Sequence, residues 1–365
     1  MLGTIIDAFV FPGLLYALVW TVGLFWFFRK FMAPLHKRVG PYYNGPHGSY
    51  QTLFDLSKLW TKESITPKGV NPYLFSIMPL LAVVVGLLPA AVIPWTPSGP
   101  AISTSVSLLV LVVLVGIEPF LFFLTGFGSD NKYSFLGGIR LLTQAISFET
   151  AFFLSALAPA LLFGTLDLNV IVEKTGWLSF LILLPALLLY FVALLGLLEQ
   201  PPFNIPDAEQ EVVYGFLTEY SGTNYFLLNL SKFVEFMAVF AGAGALYMGA
   251  YKGVFFDSYL WFFLKMLAVA VVMITIRAAT PRITLNQMLA FSWRWLVPIS
   301  LLNLSWVLLA RSLFFHKGAP DVSGRFHRKS GSGLQSPDPK KPGLRPRLPL
   351  RVGPPSRPIP GSASD

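Results

Sequence analysis

The residues from Glu199 to Gly222 read EQPPFNIPDAEQEVVYGFLTEYSG, and Glu199, Asp207, Glu209, Glu211 and Glu219 place five carboxylates in a chain that is 54% hydrophobic and 12% charged. Closely spaced carboxyls are suited to passing protons, because burial and mutual repulsion bring their pKa values toward neutrality. Asp207 and Glu211 are i, i+4 partners if this part is helical, so their like charges predict at least one raised pKa. A generic loop would simply leave such acids in water. Here Phe203, Ile205, Val212, Val213, Phe216 and Leu217 are too apolar for a free loop. The segment must pack, and packed acids must be paired, hydrated or protonated.

Other ionisable groups fall inside apolar runs, where they are costly and so tend to carry function. Glu118 stands directly before Pro119, which frees a backbone carbonyl, and for it a proton path and a structural pairing are equally open. Glu149 follows Arg140 and Gln144 in the next run and reads better as part of a proton path. Lys265 is a cation that could pair with either acid. Further chemistry is thin: His36, His47, His316 and His327 have no metal-ligand spacing, and neither a phosphate-binding loop nor a nucleophile elbow is present. With no cysteine, the chain offers no disulfide, no thiolate metal site and no iron–sulfur ligation of its own. Any electron carrier must sit on a partner, and the chain alone is not expected to be an enzyme.

A long basic loop, HKRVGPYYNGPHGSYQTLFDLSKLWTKE, separates the first two apolar runs. The pairs Gly40-Pro41 and Gly45-Pro46 impose turns. From Ser49 the pattern becomes helical, with Tyr50, Leu53, Phe54, Leu56 and Leu59 forming an apolar sector and Asp55, Lys58 and Lys62 lying opposite. Such a helix either lies in the lipid headgroups or offers a docking surface.

These groups must be positioned by membrane helices. A mean hydropathy of +0.63, with 33 Phe and 9 Trp, is that of a polytopic membrane protein, and several runs reach the ~20 residues that cross a bilayer. In lipid such runs must be helices, since no alternating barrel pattern is present. The fold class expected is all-α, with eight spans: Ile5 to Phe28, Pro72 to Pro94, Ile102 to Thr125, Leu142 to Gly164, Trp177 to Leu198, Phe233 to Tyr251, Tyr259 to Ile276, and Trp295 to Phe315. The first run lacks the features of a cleaved signal and reads as a retained helix. Arg29, Lys30, Lys37, Arg38, Lys58, Lys62 and Lys68 in the first loop, with Arg277, Arg282 and Arg294 in the last, put the first loop and the acidic stretch in the cytoplasm and both termini outside. Residues 316–365 form a basic Pro/Gly/Ser-rich tail, expected to be disordered, and residues 1–315 a transmembrane domain. The tail holds most of the formal charge of +9, but lacks the interleaved aromatics of a nucleic-acid binder. Membrane-surface adhesion, or an extension added to an older protein, suits it better.

The spacing Arg38-x-Gly-Pro, Gly45-Pro-x-Gly, Gln51, Asp55, Lys58-Leu and Lys62-Glu63 resembles the first cytoplasmic loop of the H-subunit family of complex I, a family of membrane subunits of NADH-quinone oxidoreductase. Three further segments are similar to that family in matching order: Ser129 to Glu149 (SDNKYSFLGGIRLLTQAISFE), Pro202 to Gly222, and Arg277 to Pro298 (RAATPRITLNQMLAFSWRWLVP). The resemblance covers roughly residues 1–315 and implies a multi-pass subunit of the cell (inner or plasma) membrane. It would join a peripheral electron-transfer arm to a proton- or sodium-pumping membrane arm. It implies membrane-arm partners and peripheral iron–sulfur or hydrogenase-like partners that carry the clusters. Arg38, Asp55, Lys58, Lys62, Glu63 and Arg282 match the family's docking surface, and Asp207, Glu209, Glu211, Glu219, Glu149 and Glu118 become the candidate proton relay. The chain departs from quinone-reducing members where Leu197, Leu198, Glu199 and Gln200 replace a Glu-x-Asn-Arg type sequence, and at Thr52, Asn204 and Asn286. The electron acceptor is therefore a quinone or, as in hydrogenase-like complexes, a different group. The other reading is a self-contained secondary transporter using Glu118, Glu149 and Lys265, but neither internal repeats nor paired broken helices are evident.

Overall fold

The computed structural model describes residues 13–206, 209–253 and 257–314. Their helices are α1 (Leu14–Leu35), α2 (Gln51–Thr61), α3 (Pro72–Val92, with a break at Leu88), α4 (Ser107–Gly128), α5 (Lys132–Phe163) and α6 (Leu168–Lys174). They continue as α7 (Trp177–Leu197), α8 (Glu209–Val212), α9 (Gly222–Tyr247), α10 (Tyr259–Ala279) and α11 (Leu285–Phe314). Eight of these are long and apolar enough to cross a membrane, as expected, and among the described residues the only bridge between extended segments is Thr96 with Gly99. The tail and the expected first turns of the opening span lie outside the described residues.

Several helices extend beyond their apolar runs. α5 starts at Lys132 rather than Leu142, α9 at Gly222 rather than Phe233, and α11 at Leu285 rather than Trp295. Hydropathy marks only the part immersed in lipid, whereas a helix continues until its terminal N–H groups find other acceptors. For α5 the acceptor is Asn131 Oδ1, 2.8 Å from Tyr133 N. For α11 it is a capping box between Thr284 and Gln287. At the start of α9, Thr223 N–H donates to Ser64 Oγ at 3.0 Å, and Ile65 N–H donates to Ser221 Oγ at 2.9 Å, so the segment after α2 and the start of α9 cap each other. α9 stops at Tyr247, short of the expected Tyr251, and Gly249 turns the chain with φ of 70°. α1 runs on past Phe28, through Arg29 and Lys30, to Leu35.

Two helices organise the rest. In α9, 72% of the apolar stretch is buried, against 22% in α1 and 28% in α11, so α9 is a central axis and the other two lie at the rim. α9 packs against α1, α3 and α10, while α5 packs against α4, α7 and α11. The two groups are tied by buried tyrosines: Tyr190 of α7 donates to Val239 O of α9 at 2.9 Å, and Tyr247 of α9 donates to Ser155 O of α5 at 2.8 Å. Those carbonyls gain partners that lipid cannot supply. At the opposite rim, Arg311 of α11 donates to Leu161 O at 2.9 Å, near the C-terminal turn of α5.

The acidic segment packs as its composition requires. Phe203, Ile205, Val212, Phe216 and Leu217 are buried, and of the apolar set only Val213 faces out. Close approach is achieved at Gly137 of α5, where an added Cβ would stand 2.6 Å from Gly215 Cα. The first-loop helix differs from its expected face: Leu56 and Leu59 turn inward with buried Thr52, but Tyr50, Leu53 and Phe54 are exposed. Its apolar sector is thus divided between the core and the outside.

Candidate functional site

A cavity of about 340 Å³ lies among α1, α9, the C-terminal end of α10 and the turn after α7. Arg29, Arg38, Lys232 and Arg277 line it together with one carboxylate, Glu199. Glu199 is 8% exposed, and its Oε2 lies 2.9 Å from Lys232 Nζ. The turn after α7 that positions it places Glu199 at φ of 53°. Gln200, beside it, accepts a hydrogen bond from Arg277, whose guanidinium lies 4.9 Å from the centre of the Phe28 ring. Arg29 pairs with Asp55, which also accepts from Gln51 Nε2 at 2.7 Å, so the wall of the cavity is joined to α2.

Inward from this cavity are two acids. Glu235 follows Lys232 by three positions and therefore lies on nearly the same face of α9. Glu235 is 3% exposed and Glu118 of α4 is 1% exposed, and Glu118, Glu235 and Glu199 are close enough to interact electrostatically. One oxygen of Glu118 and one of Glu235 find no hydrogen-bond partner among the described residues. Space for Glu118 is left by Gly86 of α3, where an added Cβ would come to 3.0 Å from its Oε1.

Glu149 is placed elsewhere. Its carboxyl packs across Gly116 of α4, at a point that any side chain on Gly116 would occupy. Positions 116 and 118 are about 200° apart around a helix, so Glu149 and Glu118 flank opposite sides of α4. Lys265 joins neither: its Nζ donates to the carbonyls of Met248, Ala250 and Lys252 at 2.6, 2.8 and 2.6 Å. The three groups that a self-contained transporter would use are therefore not gathered into one site.

In the acidic segment, Glu211 accepts from Arg140 of α5 and from Arg282, the latter at 2.9 Å. The hydrogen bond from Arg140, aided by the charge of Arg282, holds the Glu211 carboxyl below its ordinary value. Of the Asp207 and Glu211 pair, for which at least one raised pKa was expected, Glu211 is therefore not the raised member. Asp207 lies outside the described residues, as does the side chain of Glu209. Glu219 accepts from Asn131 Nδ2, the same side chain that caps α5. Among the expected docking residues Arg38, Lys58, Lys62 and Glu63 are exposed, while Asp55 is engaged by Arg29 and Arg282 by Glu211.

Sequence reasoning overlooked Glu235 and gave Lys232 no role. Their spacing in SKFVEFMAVF, a Lys-x-x-Glu pair at the start of an apolar run, was the available signal. Among the described residues no group of His, Asp and Glu is placed to hold a metal ion.

The family profile described as NADH dehydrogenase matches residues 9–308. The H subunit of NADH-quinone oxidoreductase from Dehalococcoides mccartyi is 32% identical over 299 residues, covering 82% of this chain and 83% of that protein. The protein of the same description from Geobacillus thermodenitrificans is 34% identical over 293 residues, covering 79% and 88%. That from Geobacillus kaustophilus is 35% identical over 294 residues, with the same coverage of 79% and 88%.

Proposed function

The chain belongs to the NADH dehydrogenase family represented by the H subunit of NADH-quinone oxidoreductase, and on that premise we propose that it couples a peripheral electron-transfer arm to ion translocation by the membrane arm. The observation carrying this reading is the line of acids leading inward from the cation-rich cavity: Glu199 paired with Lys232, then Glu235 and Glu118. A proton taken up at Glu199 removes the carboxylate charge next to Lys232, and Glu235, one helical turn further along α9, responds to that change of charge. Glu118 carries the effect from α9 to α4, and Glu149, on the opposite side of α4, extends it outward from there. Glu211 and Glu219 extend the same relay, with Glu211 also a clamp between α5 and the segment before α11, and Asp207 and Glu209 join it by their place in the sequence.

The cavity volume of 340 Å³ is within the ~300–1,000 Å³ range of small-molecule sites. Phe25, Phe28 and Met32 offer apolar walls, and Arg277, Asn204 and Asn229 offer polar groups, which suit a ring that bears carbonyl oxygens. A quinone is one such acceptor, and the iron–sulfur clusters that would reduce it belong to partner subunits. In this reading the membrane is the cell membrane, and the loop bearing α2 and the acidic segment face the cytoplasm. Lys58, Lys62 and Glu63 supply charges to the peripheral subunits, with Arg38 at the cavity rim.

The deciding experiment reconstitutes the intact complex in proteoliposomes and measures acceptor reduction and ion uptake together. Glu235→Gln and Glu118→Gln retain side-chain size and remove titration. Both variants are expected to assemble and to lose coupled turnover or its ion yield. Wild-type rates together with the wild-type ion-to-electron ratio in both would overturn the relay.

A further inference from the structure

At the end of α9 away from the acidic segment, a groove of about 580 Å³ runs between the start of α7, the end of α9 and the flank of α10. Its walls are largely apolar, supplied by Trp177, Phe180, Trp261, Leu264 and Ala268. Along α10 these positions descend from Trp261 to Ala268, a distance of about 10 Å at 1.5 Å per residue. The groove therefore begins where three spans end and continues into the hydrocarbon. Trp177, 77% exposed at its mouth, is in the position of an interfacial anchor.

The mouth also holds two ammonium groups. Lys265 satisfies all three of its donors on the carbonyls that close α9, so it contributes charge but no further hydrogen bond. Lys252 donates to the carbonyls of Glu173 and Thr175, which leaves one N–H with no partner among the described residues. The nearby acids are Glu173 and Asp257, both exposed, and Lys174, also exposed, adds another positive charge. Asp257 Oδ1 accepts from Gly253 N at 3.2 Å. A long apolar slot with a donor and two cations at its water-facing end is complementary to an amphiphile with an anionic head.

We infer that this groove is a binding site for an anionic phospholipid, with an acyl chain along Trp261, Leu264 and Ala268 and the phosphate at Lys252. A zwitterionic lipid would fill the slot equally well, but its ammonium would meet the same two cations that attract the phosphate. The site is remote from the Glu199 cavity, so its occupancy bears on assembly and lipid dependence, independently of the relay.

The test places the intact complex in nanodiscs containing a trace of either phosphatidylglycerol or phosphatidylcholine, each with the same diazirine-bearing acyl chain. Labelled peptides are mapped by mass spectrometry after illumination. Phosphatidylglycerol is expected to label residues 261–268 about fivefold more than phosphatidylcholine, the preference typical of one basic residue near a membrane surface. Lys252→Gln should bring the ratio toward unity and Lys252→Arg should keep it, while Ala268→Phe should reduce labelling by both lipids by filling the slot. Equal labelling of the wild type by the two lipids would overturn the recognition of charge. An unlabelled groove, with or without crosslinks from a neighbouring subunit to Trp261, would overturn the lipid site itself.

Discussion

Glu199 Oε2 and Lys232 Nζ, 2.9 Å apart, join the turn that ends α7 to the buried face of α9, and their side chains are only 8% and 18% exposed. Breaking such a pair by removing one partner typically costs about 3–5 kcal/mol, because the other charge remains in a poorly solvating place. Lys232→Met is therefore expected to lower the temperature at which the solubilised complex loses subunits, and more so than Glu199→Gln. The carboxylate it strands faces the acids Glu235 and Glu118, whereas the ammonium stranded by Glu199→Gln keeps Glu235 and the Phe216 ring, 4.8 Å from Nζ. The double variant should recover part of the loss. Thermal scans of all three, together with wild type, check the order, and equal effects of the two single changes would contradict it.

The clamp at Glu211 has a definite pH dependence. Its carboxyl is held below the usual 4.5 chiefly by Arg140, so its contribution is complete above about that value and is lost as pH falls through the lower folded value. The side chain is 50% exposed, and the clamp is worth no more than about 1 kcal/mol after solvent screening. Hydrogen exchange in residues 211–221, taken relative to the intrinsic amide rate at each pH, should quicken as the medium is acidified through this range. In Glu211→Gln it should already be faster at neutral pH and respond less to acid.

The outer face of α2 should bind the peripheral arm through charge. Lys58 and Lys62 are exposed, and single exposed pairs are worth about 0–1 kcal/mol, so either lysine alone can be reversed with little effect. Reversing both, as Lys58→Glu with Lys62→Glu, is expected to release the iron–sulfur subunits from solubilised complex at moderate salt. Unchanged co-purification of the double variant across a salt series would remove this face from the docking surface.

Contact between α5 and the acidic segment depends on the absence of a side chain at Gly137. An added Cβ would stand 2.6 Å from Gly215 Cα, and backbone cannot yield as a flexible side chain does. Gly137→Ala should cost about 1–3 kcal/mol, the usual range for overpacking. Loss of thermal stability together with faster proteolysis near Gly215 would agree with this, whereas an unchanged melting profile would not.

The eight spans were legible because apolar length alone decides what crosses a bilayer. So was the packing of the acidic segment, from residues such as Phe203 and Phe216. The early starts of α5, α9 and α11 were not, since polar helix turns outside the apolar layer depend on caps, one of which, Ser64, lies 159 residues from the N–H that it serves. The direction of the Glu211 shift was hidden for the same reason: Arg140 and Arg282 are each 71 residues away, while the neighbouring acids are visible in the sequence itself. Glu118 and Glu149 stood out as intramembrane acids, but only the helix packing separates them to two sides of α4. Glu235 escaped notice within an apolar run, although the Lys232 that precedes it marked the position.

Ser64 and Ser221 have a mechanical consequence. Each serine holds the other's strand of backbone, at 2.9 Å for Ile65 N to Ser221 Oγ and 3.0 Å for Thr223 N to Ser64 Oγ, so the root of α2 is pinned to the root of α9 at two points. From Gly222 to Lys232 the helix rises about 15 Å. A protein seated on α2 would thus have leverage on a stiff rod whose middle bears Lys232 and Glu235, and tilting the platform by a small angle would displace both ammonium and carboxyl relative to the turn at Glu199.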